Sequence, residues 1–348
     1  MANKIGKKEN KQPLSNTLLL LTITVCTFFG MYLLGMIIWG GGFLNPQQFI
    51  NLFNNNAYLI VIACGLTIVM ITGGIDISVG GTIALITMTT VVVMEDMGGG
   101  IFTSILISLG IGLAMGLVQG YFIAYLKIQP FIVTLAGMFF TRGMTTIVSK
   151  VPRTATNEAF VALKDHYFYF HFIGIHKHGN WIPSYIEIGA IIAIVVLILL
   201  WATLRWTRFG RNLYAVGGNS ESALMLGINV KRTQFLSYVL CGILAGIGGF
   251  VYLTHTGAGN ASNASGAEMQ AIASSIIGGT LLSGGVGSVI GTLFGVLSLK
   301  TINIIVIASG LREPYWQSIT TGLMLAFFIV LQSVILDQRK KKLGNMAG

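Results

Sequence analysis

Apolar residues in this chain fall into long uninterrupted runs, not into the alternation of a half-buried strand or the stripe of a soluble helix. The runs cover residues 18–39, 57–73, 80–94, 101–126, 130–149, 184–204, 234–254, 268–284, 287–308 and 315–336. A bilayer core about 30 Å thick needs roughly 20 apolar residues of helix, with a working range of 17–25. The pattern predicts an all-α, polytopic membrane protein of about ten transmembrane helices. Three runs, at 57–73, 80–94 and 268–284, are short or interrupted by glycine. The run from Leu18 to Trp39 is too long for the apolar part of a secretory signal, and no small-residue cleavage site closes it. It reads as a retained first span.

The polar residues between the runs set the expected topology. Lys4, Lys7, Lys8 and Lys11 precede the first run, Arg205, Arg208, Arg211, Lys231 and Arg232 share one loop, and Arg339 to Lys342 lie near the C-terminus. Basic flanks of this kind stay on the cytoplasmic side, where they meet the anionic inner leaflet. Ten crossings then place the tail 1–17, the loop 205–233 and the tail 337–348 in the cytoplasm, and the loop 150–183 outside. Lys150, Arg153, Lys164 and Lys177 in that outer loop run against the rule, which long loops obey less strictly. Trp39, Trp181 and Trp316 fall at outer ends and Trp201 and Trp206 at an inner one, as amphipathic rings at an interface should. All six prolines lie at or beyond segment ends, where a missing N–H costs least. The whole chain, 1–348, is expected to form a single transmembrane domain.

Composition removes the soluble alternatives. Of 348 residues 54% are hydrophobic and 9% charged, against about 25% charged in a soluble domain. The net charge of +10 sits in the flanks, which assigns it to lipid and not to nucleic acid. Cys26, Cys64 and Cys241 lie inside apolar runs and imply no disulfide framework. The 45 glycines suit helices that pack backbone to backbone. Gly112, Gly116 and Gly120 share a helix face, as do Gly242 with Gly246 and Gly291 with Gly295. Packing within one subunit is the expected use, and a dimer seam the alternative.

Two glycine-rich breaks carry the most information. In Thr72-Gly-Gly-Ile-Asp-Ile-Ser-Val-Gly-Gly81 an acidic residue stands between two apolar runs. Gly73, Gly74, Asp76, Ser78 and Gly80 describe either a broken helix lining a cavity or a plain turn with a capping Asp76 or Ser78. Gly278-Gly-Thr-Leu-Leu-Ser-Gly-Gly-Val-Gly-Ser-Val-Ile-Gly291 echoes it, with Gly278, Gly279 and Ser283. Paired interruptions point to an internal repeat of the inverted kind. Arg142 is expected to snorkel to the outer water layer, and Lys300 to face a cavity or a partner. Residues 217–229 read as a short helix capped by Asn219 or Ser220, with Glu221 in its first turn and Gly227 at its end. Residues 150–183 alternate aromatic and polar positions, as short strands or an interfacial segment would. His166, His171, His176 and His178 lack tight metal-ligand spacing apart from His176-x-His178. No metal or other cofactor is expected, and with no Walker A, nucleophile elbow or His-Glu-x-x-His sequence, no catalysis or ATP site either.

The first break resembles the hallmark of ribose-type permeases of bacterial ABC transporters, a group that includes branched-chain amino-acid permeases. Further motifs agree in order: Gln129-Pro-Phe-Ile-Val-Thr-Leu135, Thr141-Arg-Gly143, Ala215 to Ala223, Leu226 to Lys231, Gly278 to Thr280 and Ser283 to Val289. The resemblance covers roughly 57–335. It implies a bacterial cytoplasmic (inner) membrane permease that pairs with a second copy or a paralogue. Two ATPase subunits would sit at the cytoplasmic face, and an external binding protein would deliver a monosaccharide. Gly73, Gly74, Asp76, Ser78, Gly80, Arg142, Gly278, Gly279 and Ser283 would line the translocation path or its broken helices. Asn219, Ser220, Glu221, Ala223, Gly227 and Asn229 would couple to the ATPase. The Gly-Gly-Ile-Asp form is more typical of carbohydrate permeases, and Trp316 to Gly322 with Phe328 to Gln332 resembles the galactofuranose-type subgroup. Val286 and Lys300 depart from the family pattern. The alternatives are a self-sufficient secondary transporter, in which Asp76 and Lys300 would serve ion coupling, and an ABC permease for a nucleoside or a branched-chain amino acid. A channel or scaffold is disfavoured because no charged ring or filter sequence is present.

Overall fold

Residues 57–71 are apolar on every side, and a helix with no polar face has to be covered by protein or by lipid. In the computed structural model, which describes residues 16–177 and 180–347, they form α3 (Ala57–Ile71), every residue of which except Tyr58 is buried. The basic positions Lys4 to Lys11 and His178 lie outside the described residues. Before α3 come α1 (Asn16–Trp39) and α2 (Pro46–Asn54); after it come α4 (Val79–Asp96), α5 (Ile101–Ala124) and α6 (Pro130–Val148). Next are β1 (Arg153–Thr154), α7 (Glu158–Lys164), β2 (Tyr167–Lys177), β3 (Asn180–Glu187) and α8 (Ile188–Trp206). The chain continues through α9 (Arg208–Gly218), α10 (Ser220–Met225), α11 (Val230–Thr256) and β4 (Ala258–Gly259). It ends with α12 (Ala267–Ile277), α13 (Val289–Ala308) and α14 (Pro314–Ala347). The expected tail 337–348 thus continues the last helix as far as Ala347.

The glycine rows explain how α5 and α11 meet. A Cβ on Gly116 would stand 2.7 Å from the Tyr238 carbonyl oxygen and 3.0 Å from Val239 Cα, and one on Gly112 would meet the Gly246 backbone at 2.8 Å. Gly242 faces Gly116 in return. The rows are two halves of one seam within the chain, the packing expected when small residues let backbones touch. Gly291 and Gly295 form a similar contact with Gly278 and Ser274 of the preceding segment.

Burial ranks the helices by position. In α4 and α11, 72% and 61% of the most apolar window is buried, against 17% in α6 and α14. The exposed Phe131, Ile132, Phe139 and Phe140 of α6 are the kind of surface that only hydrocarbon or another membrane protein covers. Among the described residues eight helices are long and apolar enough to span a bilayer, or nine if α2 and α3, bent by 53°, count as one. The eighth expected span, 268–284, differs. Its helix α12 stops at Ile277 after 11 residues, too short to cross by itself; the non-helical segment from β4 covers the rest of the way from the hairpin end. The run expected at 184–204 begins later, at Ile188, because residues 184–187 belong to β3.

The aromatic–polar alternation of 150–183 becomes an antiparallel hairpin, β2–β3, with a register shift between Phe170 and Gly174. Asparagine and glutamine side chains of α2 hold it down. Gln47 Nε2 donates to the Tyr185 carbonyl (3.1 Å) while Gln47 Oε1 accepts from Tyr185 N (2.8 Å). Asn54 Oδ1 likewise accepts from Glu187 N (3.0 Å). At the same end β1 pairs with β4, and Thr156 donates its backbone N–H and hydroxyl to Glu95 of α4. The opposite end carries α9, α10 and the two breaks. Trp39, Trp181 and Trp316 lie towards the hairpin end and Trp201 and Trp206 at the other, the latter pair with ring centroids 5.1 Å apart.

Candidate functional site at the junction of two broken helices

The two breaks open with the same backbone device. At the end of α3, Gly73 N donates to Met70 O (2.9 Å) and Gly74 N to Val69 O (3.1 Å), with Gly73 at φ +80°. At the end of α12, Gly279 N donates to Ile276 O (2.9 Å) and Thr280 N to Ser275 O (3.0 Å), with Gly279 at φ +90°. Both are Schellman motifs, in which glycine takes the left-handed position and satisfies carbonyls the helix leaves open. The sequence echo Thr72-Gly-Gly against Gly278-Gly-Thr is therefore an echo of geometry.

Between α3 and α4 the chain is held by polar groups inside the bundle. Asp76 is 3% exposed; its Oδ1 accepts from Ser78 N (2.9 Å) and Ser78 Oγ (2.7 Å). Gln119 Oε1 of α5 lies 3.2 Å from the same hydroxyl, and Tyr238 of α11 donates to the Ile75 carbonyl (3.2 Å). The cap expected from Asp76 or Ser78 takes a different form. Ser78 makes no side-chain capping bond to α4, and Asp76 fixes the N–H just before the first turn. The alternative of a plain turn outside the bundle does not fit a carboxylate so enclosed. The partners of the break on α5 and α11 were not legible, since nothing in the runs 101–126 and 234–254 marks Gln119 as facing Ser78 or Tyr238 as facing Ile75.

The second break lies directly on the first. Gly285 N donates to the Ile71 carbonyl (2.9 Å), one of the acceptors that the end of α3 leaves free. A Cβ on Gly285 would stand 2.9 Å from Gly218 Cα, and one on Gly284 would stand 2.9 Å from both Gly217 O and Gly73 N. Gly73 in turn faces the Ser283 carbonyl. Three chain segments, 71–74, 217–218 and 283–287, thus meet with almost no side chain between them. Tyr214 of α9 ties the third corner by donating to the Gly287 carbonyl (2.9 Å), and burial raises its phenol above the ordinary range. The structure brings Gly73, Gly74 and Ser283 together here. Gly278 and Gly279 lie aside, against Gly291 and Leu20.

From this junction the chain emerges as a compact capped knob. Asn219 closes α9 and also caps α10, its side chain accepting from Ser222 N (2.8 Å). Glu221 lies in the first turn, and Ala223 is the buried residue of α10. Gly227, at φ +80°, ends it with a third Schellman motif (Gly227 N to Leu224 O, 2.9 Å; Ile228 N to Ala223 O, 3.0 Å). Asn229 then caps α11 by accepting from Arg232 N (2.9 Å). Ser220 and Glu221 are exposed, and Leu224, Met225 and Leu226 at the tip are 65%, 88% and 79% exposed.

Gly80 and Arg142 belong to a different neighbourhood. After β4 the chain dips along α4, from Gly259 against Met88 to Ala264 against Gly80, and only then starts α12. Arg142 Nη1 donates to the carbonyls of Ala261 (2.8 Å) and Asn263 (2.7 Å) in that dipping segment. Arg142 makes this clamp in place of the snorkelling expected of it, its guanidinium donating to two backbone carbonyls that have no helical partner. Glu268, 9% exposed in the first turn of α12, lies where a Gly80 Cβ would be. Sequence reasoning missed Glu268 because a carboxylate at the start of an apolar run looks like a boundary. Lys300 has the expected partner, donating to Gln270 Oε1 (2.6 Å).

Comparison with known proteins decides the family. The profile described as "Branched-chain amino acid transport system / permease component" matches residues 48–329. The chain belongs to that permease family. It is 37% identical over 317 residues to the inner membrane ABC transporter permease protein YjfF of Escherichia coli, covering 91% of this chain and 92% of the relative. The fructose import permease protein FruG of Bifidobacterium longum is 34% identical over 344 residues, 96% of each chain. The ribose import permease protein RbsC of Bacillus subtilis is 33% identical over 322 residues, 90% of this chain and 92% of the relative. No solved structure matches. As a family member the chain is a multi-pass membrane permease, and the match takes in both breaks, the knob and the dipping segment.

Proposed function

We propose that this chain is the membrane-spanning permease subunit of a bacterial ABC importer that carries a monosaccharide across the inner membrane. The observation that supports it is end-to-end likeness, over nine-tenths or more of each chain, to permeases named for fructose and ribose import. Separate ATPase subunits supply the energy, an external sugar-binding protein supplies the solute, and a second copy or a paralogue completes the pore. Both termini and the knob face the cytoplasm, and the hairpin faces out. On this reading the apolar tip of α10, with Ser220 and Glu221 beside it, docks on the ATPase, and the glycine junction carries the movement to both broken helices. Asp76 holds the first break in shape. Gly80, Glu268 and Arg142 hold the dipping segment against α4 and α6.

The test is reconstitution in liposomes with candidate ATPase and binding-protein partners. Sugar uptake should require ATP and both partners. Uptake by the purified chain alone under a sodium or proton gradient would instead establish a secondary transporter. The family description favours a second substrate class, a branched-chain amino acid, and the same assay with labelled leucine separates it from ribose, fructose and galactose.

A further inference from the structure

Between α2 and the β2–β3 hairpin lies a cleft of about 330 Å³ that the roles above do not use. Its volume falls within the range of small-molecule pockets, ~300–1,000 Å³. Asn45, Tyr169, Ile182, Pro183, Ser184 and Tyr185 line it. Ile175, Ile182 and Pro183 make much of the lining apolar, and the lining also carries polar groups without a protein partner. Asn45 Oδ1 accepts from Gln47 N (2.9 Å), but its amide nitrogen, the Ser184 hydroxyl and the hydroxyls of Tyr169 and Tyr185 make no hydrogen bond among the described residues. The rings of Tyr169 and Tyr185 stand 6.2 Å apart, centroid to centroid. The walls are tied to each other, because the Gln47 amide bonds both the N–H and the carbonyl of Tyr185 while its nitrogen also donates to Asn51 Oδ1 of α2 (2.7 Å).

We infer that this cleft is a binding site for a monosaccharide on the hairpin face of the protein. A sugar ring offers an apolar C–H face and a rim of hydroxyls that both donate and accept. That pairs with tyrosine rings and apolar side chains in the lining and with the four unclaimed polar groups among them. An acyl chain would leave those four groups without partners, at a cost of desolvation that lipid cannot return. The site would hold the solute where it arrives from the delivering protein, before the pore opens. The choice of ligand rests on the sugar-import reading above.

The experiment uses the complete permease–ATPase complex in nanodiscs, without any binding protein, and D-ribose, D-fructose and D-galactose as probes. Saturation-transfer NMR should detect contact with at least one of them. Tyr169→Ala and Asn45→Ala should each weaken it about tenfold, equivalent to ~1.4 kcal/mol. Phe172→Ala, an exposed residue of the same hairpin that does not line the cleft, should leave it unchanged. The basal ATPase rate of all three variants reports that the complex is intact. Absence of transfer from all three sugars overturns the inference, as does transfer indifferent to Tyr169 and Asn45. If Tyr169→Ala spares sugar contact yet abolishes stimulation by a loaded binding protein, the cleft is part of a protein interface and the inference falls. Liposome uptake with the full set of partners is scored separately: sugar uptake without transfer in the nanodisc keeps the importer and removes only the site.

Discussion

Replacing Asp76 tests the link between the first break and the packing around it. Asp76→Ala removes the acceptor for two donors, Ser78 N and Ser78 Oγ. The hydroxyl keeps an alternative in Gln119 Oε1, 3.2 Å away, so its loss is worth about 1 kcal/mol. The backbone N–H has no substitute partner, and an orphaned buried donor costs about 1–3 kcal/mol. Removing a buried carboxylate also removes its own desolvation penalty, which offsets part of the sum. The net expectation is a destabilisation of about 1–3 kcal/mol centred on the break. Asp76→Asn supplies the same Oδ1 to the same donors and should cost under ~1 kcal/mol. The assay is thermal unfolding of the purified protein in matched nanodiscs, paired with uptake by the reconstituted importer. The alanine variant should melt earlier and transport poorly, while the asparagine variant should stay near wild type in melting. Equal melting of Ala and Asn variants would show that the hydrogen bonds from Ser78 do not hold the break, and would refute the reasoning.

Four further outcomes follow from the same contacts. Glu221→Ala, at an exposed position in the first turn of α10, should leave melting unchanged and lower ATPase stimulation by the loaded binding protein, so that it fails differently from Asp76→Ala. Gly217→Ala sets a Cβ against the Ile71 carbonyl and should preserve insertion while uncoupling hydrolysis from uptake, read as the ratio of the two rates. Gly116→Val overpacks a seam whose two walls are backbone and should destabilise by about 1–3 kcal/mol or more, seen as reduced yield and a lower melting midpoint. Arg142→Leu frees the segment it clamps, so Ser262→Cys, in a background with Cys26→Ser, should label faster with a thiol reagent than the same cysteine beside Arg142.

Much of the architecture was legible because the bilayer demands long apolar runs, and each of the ten runs contains a helix. The two glycine-rich breaks were read at their correct places, though the run 268–284 ends its helix at Ile277, and their shared cap follows from the paired glycines themselves. The caps of the knob were legible for the same reason: Asn219 and Gly227 act through neighbours three or four residues away. What could not be read was tertiary. Gln119, Tyr238 and Glu268 touch the breaks from segments far along the chain, and a single sequence gives no sign of who faces whom. The dip before α12 was invisible because its residues, Gly257 to Gly266, are small and polar like any loop. Only the clamp by Arg142 and the contact with Gly80 reveal that they run along α4 and α6.

The knob between α9 and α11 has a mechanical consequence. Asn219 ends one helix and begins the next, Gly227 closes that helix, and Asn229 opens the third. The linkage contains no run of free dihedrals in which a displacement could be absorbed. A push on Met225 at the tip therefore travels as through a short strut to Gly217 and Gly218, where bare backbone bears on bare backbone. A compliant linker would need a large stroke at one face to move the other. On the proposed docking, a movement of the tip would reach both breaks through this junction with little lost on the way.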